Sequence, residues 1–322
     1  MFTIKRYTAG DKTIWNDFVE ASKNGTFLLK RDYMDYHSDR FEDHSLLLYN
    51  DMGKISALLP ANETCDNGCK QLFSHQGLTY GGLVLSTKHG ANDVLQMFDA
   101  IISYLKGNGF SSFHYKQIPS IYHRYPSQED EYALWRNDAV LEVCNISSSV
   151  ALHSELIPRI GQGRKYRISL CRRQNYNVVF DFPLGTYWPM LTSCLKVRYD
   201  AKPVHTLQEM ELLQERFPDN IKCVAVTDET GEVCAGTVVY LTKSVAHLQY
   251  SCATQKGYDN HAVDLLYSTL REHFNNDTTL SFFDFGTSNE EHGKVLNAHL
   301  SAYKETFGAR GIAYKQWRID LC

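Results

Sequence analysis

One order of elements occurs twice in this chain, and that repetition limits its fold more than any single motif. Residues 45–60 read as a strand, a tight turn and a strand, because Asn50, Asp51 and Gly53 supply turn conformations that β-branched residues resist. Residues 221–240 repeat the pattern around Asp228 and Gly231. Each hairpin leads to a further strand, a helix and another strand. In the first copy these are 72–85, 92–105 and 111–115; in the second they are 246–253, 262–274 and 280–285. The order predicts an α/β fold of two tandem domains, each a mixed β-sheet flanked by helices. A chain of 322 residues has the length for two domains. The expected boundary falls near residue 150, giving domains 1–150 and 151–322 with a cleft between them.

In the second copy, Ser281-Phe-Phe-Asp-Phe-Gly286 reads as a buried strand closed by a turn. A helix should follow, with Leu296, Leu300, Tyr303 and Phe307 on one face and Gly308 as its terminator. Asp284 would then lie at the C-terminal end of a strand, with Tyr303 and Lys304 side by side nearby. Ligands bind at that edge of open α/β sheets. The plainer alternative is a turn-capping Asp284 and a solvated Lys304. The first copy has Phe113-His-Tyr-Lys-Gln-Ile-Pro119 at the corresponding place and lacks the carboxylate, so it is expected to be non-catalytic. Its third strand is interrupted by the glycine-rich 74–84 segment, which either lines an acceptor cleft or makes a tight bend.

Asn297, then Tyr303-Lys304, then Phe307-Gly308 resembles the C-terminal motif of the GNAT acyltransferase superfamily. With the Phe-Asp-Phe-Gly strand before it, the segment is most similar to the Fem-type branch. The resemblance implies two GNAT-like domains and transfer of an aminoacyl group from charged tRNA to a peptidoglycan precursor. Fem-type proteins carry Phe-Leu-Gln-Ser-x-x-Trp-x-x-x-Lys near the start. This chain keeps Phe27-Leu28, places Tyr33 for the tryptophan and has His37 where the lysine would fall. Acceptor contacts are therefore expected from Tyr33, His37, Gly77 and Tyr80.

An Arg-rich segment heads the second half, as in Fem-type proteins, and its Arg164 and Arg167 suit a pyrophosphate or the end of a tRNA. Acetyltransferases hold the coenzyme A pyrophosphate on a Gln/Arg-x-x-Gly-x-Gly/Ala loop. If Ala262 takes the last position here, Asn260 stands for a glycine and Gly257 for Gln/Arg. That degeneracy leaves two candidate donors, acetyl-CoA and aminoacyl-tRNA. Arg164, Arg167, Tyr250, Gly257 and Asn260 are the expected donor contacts. The expected catalytic set is Lys304 as a charge near the donor, Tyr303 as proton donor and Asp284 as an orienting group.

A net charge of -4 argues against a broad polyanion-binding surface while permitting a local basic patch. No signal-type run follows Met1, and no segment approaches the roughly 20 apolar residues of a membrane span, so a cytoplasmic protein without membrane insertion is expected. Nine cysteines, an odd number, fit reduced thiols. Cys65 and Cys69, with His75 nearby, lack the second ligand pair of a structural zinc site, and no metal is expected. The reading is an N-acyltransferase acting on a primary amine of a cell-envelope precursor or amino-sugar. The alternative is a non-catalytic ligand-binding protein on a duplicated fold.

Overall fold

The computed structural model describes residues 2–321, and the chain divides into two compact units. Unit 1 holds residues 2–146, 289–295 and 313–321; unit 2 holds residues 147–288 and 296–312.

The main elements of unit 1 are β1 (Thr3–Arg6), α1 (Lys12–Ala21), β2 (Leu46–Tyr49), β3 (Ile55–Leu59), β4 (Asn62–Asp66), β5 (Cys69–Phe73), β6 (Val84–Leu85), α2 (Ala91–Gly107), β7 (Phe110–Lys116) and α3 (Glu129–Arg136). The β2–β3 hairpin turns on Gly53 at φ +69°, while Asn50 Oδ1 accepts the N–H groups of Met52 and Lys54. Helix α2 buries Val94, Met97, Phe98, Ile101 and Leu105, one face at helical spacing. Each of those side chains is worth roughly 2 kcal/mol of apolar burial.

Two sheets build this unit, one ordered β1-β2-β3-β6 and the other containing β4-β5-β7. The third strand expected over 72–85, interrupted by its glycine-rich segment, is divided between the two sheets. Its first part pairs in parallel with β7, its last two residues pair antiparallel with β3, and residues 74–83 loop between. An unpredicted hairpin turns on Asn67 and Gly68, both at positive φ, to join β4 and β5. Its register sets Cys65 opposite Lys70 and Asp66 opposite Cys69, so the two cysteines face opposite sides of the ribbon.

The chain passes into unit 2 along β8 (Val140–Ala151). There follow α4 (Gln162–Arg173), β9 (Asn177–Val179), α5 (Leu184–Tyr199), α6 (Leu207–Arg216), β10 (Ile221–Thr227), β11 (Val233–Leu241), β12 (Val245–Ala253), α7 (Gln255–Asp259), α8 (Ala262–Asn275), β13 (Phe282–Thr287) and α9 (Ala298–Glu305). Strands β9-β10-β11-β12-β13 lie in that order, with the end of β8 beside β13, and only the β12–β13 pair is parallel. The core joins Val263, Leu266, Leu270 and Phe274 of α8 to Val239, Phe283 and Phe307.

Strand β14 (Arg310–Asp320) returns the chain to unit 1, where Gln316–Asp320 pair antiparallel with β7. Residues 289–295 and 313–321 lie in unit 1, apart from the other residues of 151–322. Helix α9 also differs from its expected pattern. Leu296 and Leu300 are exposed, and its inward residues are Ser301 and Lys304. The apolar face that spacing suggested survives at Tyr303 and Phe307, which pack in the core, while polar anchoring through Lys304 stands in for its exposed leucines. Asn297 caps the helix by accepting the Leu300 N–H at 3.0 Å. No helix among the described residues is long and apolar enough to cross a membrane.

Candidate active site

Strands β12 and β13 are hydrogen-bonded only where they begin, pairing Val245 with Phe282, Ala246 with Phe283 and His247 with Asp284. Beyond that point the ladder stops. Strand β12 bulges at Gln249, where the register against β11 slips by one residue. Asp284 sits where the strands part and is fully buried. Its Oδ1 accepts the Ser147 hydroxyl at 2.6 Å, and its Oδ2 lies 2.7 Å from His247 Nδ1. A carboxylate accepts, so the imidazole donates Nδ1–H to it, and the neutral ring keeps a lone pair on Nε2. That nitrogen has no protein partner among the described residues.

Lys304 reaches the end of β13 from α9. Its ammonium donates to Gly286 O at 2.9 Å, Thr287 O at 2.8 Å and Ser288 Oγ at 2.9 Å. Burial lowers its pKa from 10.5 to about 8, opposed by the Asp284 charge. All three protons are committed to protein oxygens, so Lys304 fixes the strand end and does not present a free N–H to a donor, as the sequence had suggested.

Tyr303 and Lys304 also part company. Successive helical residues point about 100° apart, and the Tyr303 hydroxyl donates to Asp264 Oδ1 at 2.6 Å. Asp264 pairs as well with Arg164 Nη1, whose guanidinium lies 4.7 Å from the Tyr303 ring centre and 4.5 Å from that of Phe307. Burial pushes the Tyr303 pKa far above the usual phenol value, and Asp264 adds to the shift. This phenol is a poor proton donor. Arg164 is committed to the same cluster instead of standing open to a phosphate.

The other expected donor contacts have local duties. The Gly257 N–H donates to Thr254 Oγ1 at 3.0 Å, and a Cβ at Gly257 would lie 2.0 Å from the Cys234 carbonyl oxygen. Gly257 therefore lets α7 settle on β11, and its N–H is already spent. Asn260 donates to Lys256 O at 2.9 Å, and Tyr250 Oη lies 2.6 Å from His205 Nδ1. Arg167 is exposed on α4. Asp264 stands in the first turn of α8, so a carboxylate already occupies the helix terminus that would attract a pyrophosphate.

In unit 1, Tyr33, His37 and Gly77 come together in a buried aromatic cluster. Tyr33 packs edge-on against Phe27 and Tyr36, and the His37 ring lies 5.0 Å from Phe41 and 5.2 Å from His75. A Cβ at Gly77 would meet His37 Nε2 at 2.2 Å. His37 is 1% exposed, so the position expected to carry an acceptor-binding cation is packed into the unit's interior. Tyr80 points elsewhere and donates to Thr26 Oγ1 at 3.0 Å. A cation does reach this segment from β7. Lys116 Nζ donates to Gln76 O and Leu78 O, both at 3.0 Å, and burial lowers its pKa to about 8.

Sequence reasoning missed His247, Ser147 and Asp264. The only signal for His247 was an imidazole among Val245, Ala246 and Leu248; its register against Asp284 is non-local. No group of three or more His, Cys, Asp or Glu among the described residues is placed to hold a metal ion.

The two units, with their mixed sheets and one splayed parallel pair, define the tandem GNAT-like fold of the Fem type. No family model matches the sequence, and no curated protein matches it. Solved structures do. FemX superposes with a TM-score of 0.71 over 99% of this chain and 97% of its own, at 9% identity. L-PGS from Bacillus licheniformis gives a TM-score of 0.62 at 11% identity, covering 97% of this chain and 91% of that one. A tandem GNAT protein from the clavulanic acid biosynthesis pathway gives 0.56 at 12% identity, covering 100% and 99%. At these identities the likeness is one of fold.

Proposed function

We propose that the protein is an N-acyltransferase whose reaction takes place at the notch between β12 and β13. The observation that carries this reading is the buried Asp284 held between Ser147 and His247 where the strands separate. An imidazole oriented through Nδ1 by a carboxylate is the arrangement a general base requires. His247 Nε2 takes a proton from the acceptor amine as its nitrogen attacks the acyl carbonyl. The N–C bond forms, the ester or thioester bond breaks, and the proton passes to the leaving oxygen or sulfur. Asp284 is the positioning residue, and Lys304 holds the backbone of the strand end.

An aminoacyl ester on tRNA is the donor favoured here, because Asp264 sits where coenzyme A would need its pyrophosphate received. The Fem-type fold supports the same choice, as does the likeness to FemX and L-PGS. The acceptor is read as a primary amine or amino-bearing headgroup of a cell-envelope component.

Transfer is tested by incubating the protein with aminoacyl-tRNA or acetyl-CoA and candidate amines, reading product mass. His247→Ala and Asp284→Asn should each lower the rate about a hundredfold or more, the share general-base catalysis supplies, without loss of fold. Undiminished rates in both variants would remove His247 from the chemistry. Coenzyme A release at the wild-type rate, with no use of tRNA, would reverse the donor assignment.

A further inference from the structure

A groove of about 770 Å³ opens in unit 2 near the start of β13, the opposite end of that strand from Gly286 and Lys304. Arg159 lines it from the segment before α4, Lys165 from the first turn of α4, and Arg271 and Asn275 from the last turns of α8. Glu155 and Glu272 contribute as well. Glu272 leans toward Arg172, 3.8 Å away. Among the described residues, none of Arg159, Lys165 and Arg271 lies within ion-pair distance of a carboxylate. Helix α4 carries no acidic residue along its length, although the chain as a whole is net negative.

Two residues of the lining, Ile157 and Arg271, pack against Gly308 of the motif singled out in the sequence. Gly308, at φ +94°, has no side chain, and a Cβ there would lie 2.9 Å from Ile157 Cγ2 and 3.8 Å from the Arg271 guanidinium carbon. The bare glycine lets Ile157 and Pro158 pack close against the 308 backbone, beside Arg271. Arg271 is half-buried, and its loss of water disfavours the charge with only Glu272 in opposition. Three cations outnumber the two carboxylates of the lining, and none of the three is ion-paired with either, so the groove keeps a local positive excess that a bound anion would complete.

We propose that this groove is a phosphate-binding site, separate from the transfer site, which receives the phosphoryl groups of a nucleotide or of an RNA backbone. Arg supplies forked donors for phosphate oxygens and Lys165 a point charge. Asn275 adds a neutral amide, suited to a sugar or base. The concave shape favours a ligand that enters over a flat bilayer, which would reach only the rim. The inference does not depend on the transfer reading.

The test titrates the whole chain at low salt with inorganic pyrophosphate, ADP and a short single-stranded RNA, using wild type and a Lys165→Ala/Arg271→Ala variant. Wild type should bind at least one probe saturably, and the variant should bind it at least tenfold more weakly with an unchanged unfolding midpoint. Pyrophosphate or ADP binding without RNA binding assigns a nucleotide. RNA binding whose affinity falls with salt at a log–log slope of about 2, as for three phosphate contacts, assigns an RNA backbone. No saturable binding of any probe, binding fully retained by the variant, or binding only to anionic vesicles would overturn the proposal.

Discussion

Lys304 is a buried ammonium whose three partners are all uncharged, and its titration follows from that packing. Burial lowers its folded pKa from 10.5 to about 8, with Asp284 working against the shift. A lysine whose pKa falls on folding holds its proton less tightly in the native chain than in the unfolded one. Below the folded pKa both states are charged and the native state bears the full cost of the buried charge. As pH rises from there toward the unfolded value, the native lysine sheds its proton first and the cost is relieved. Stability contributed at Lys304 therefore rises with pH, opposite in sign to an ion-paired lysine. Between about pH 7 and about pH 9.5 linkage puts this gain at about 2 kcal/mol. Lys304→Met removes the titration. The acceptors it orphans cost the same at either pH and cancel from the difference. Guanidinium unfolding of both proteins at the two pH values should show wild type gaining on the variant by about 2 kcal/mol. A gain under about 0.5 kcal/mol, or a loss, would refute the claim that burial controls this amine.

Two further substitutions probe unit 2. Gly257→Ala forces a methyl group into the Cys234 carbonyl and should cost about 3 kcal/mol in denaturant unfolding, whereas an unchanged midpoint would show that α7 can lift off β11 freely. Asp264→Ala leaves the Arg164 guanidinium without its counter-charge and the Tyr303 hydroxyl without its acceptor, an expected loss of about 3–5 kcal/mol. Adding Arg164→Met should recover part of that loss, and strict additivity would mean the pair is not coupled.

The duplicated order was legible because its signals are local. Gly53 and Gly231 mark the hairpins, and the apolar spacing of α2 and α8 marks the helices. Features set by non-local packing were not. Nothing in the run 72–85 announces that it serves two sheets. The break depends on Gly81, where a Cβ would lie 1.8 Å from the Ser74 carbonyl oxygen, and on Gly82 at φ +83°. Asp284 was legible as a carboxylate on a buried strand, but its partner was not, since His247 lies 37 residues earlier. Tyr303 and Lys304 were read as neighbours in function because they are neighbours in sequence, yet the helix turns one toward α8 and the other toward the end of β13. The polar face of α9 misled for a related reason. Lys304 is buried by its bonds to backbone carbonyls, a partner set that no periodicity displays.

The two copies share one geometry and differ in what they place in it. Each contains a parallel strand pair in which two side chains meet in register: Phe73 with His114 in unit 1, His247 with Asp284 in unit 2. In unit 1 the Phe73 ring stacks on the imidazole with centroids 4.4 Å apart and planes nearly parallel. His114 Nδ1 lies 3.1 Å from Glu142 Oε2, and Nε2 lies 3.1 Å from Ser112 Oγ. Both ring nitrogens are therefore engaged, and burial lowers the pKa of the ring. An imidazole so held has no lone pair to offer a substrate. In unit 2 the imidazole has moved to the neighbouring strand and the carboxylate takes its former register position. One ring nitrogen is tied to protein and the other has no protein partner among the described residues. The same backbone arrangement thus holds its histidine stacked and bonded at both nitrogens in one copy and oriented by a carboxylate through one nitrogen in the other, the geometry on which the proposed base role rests.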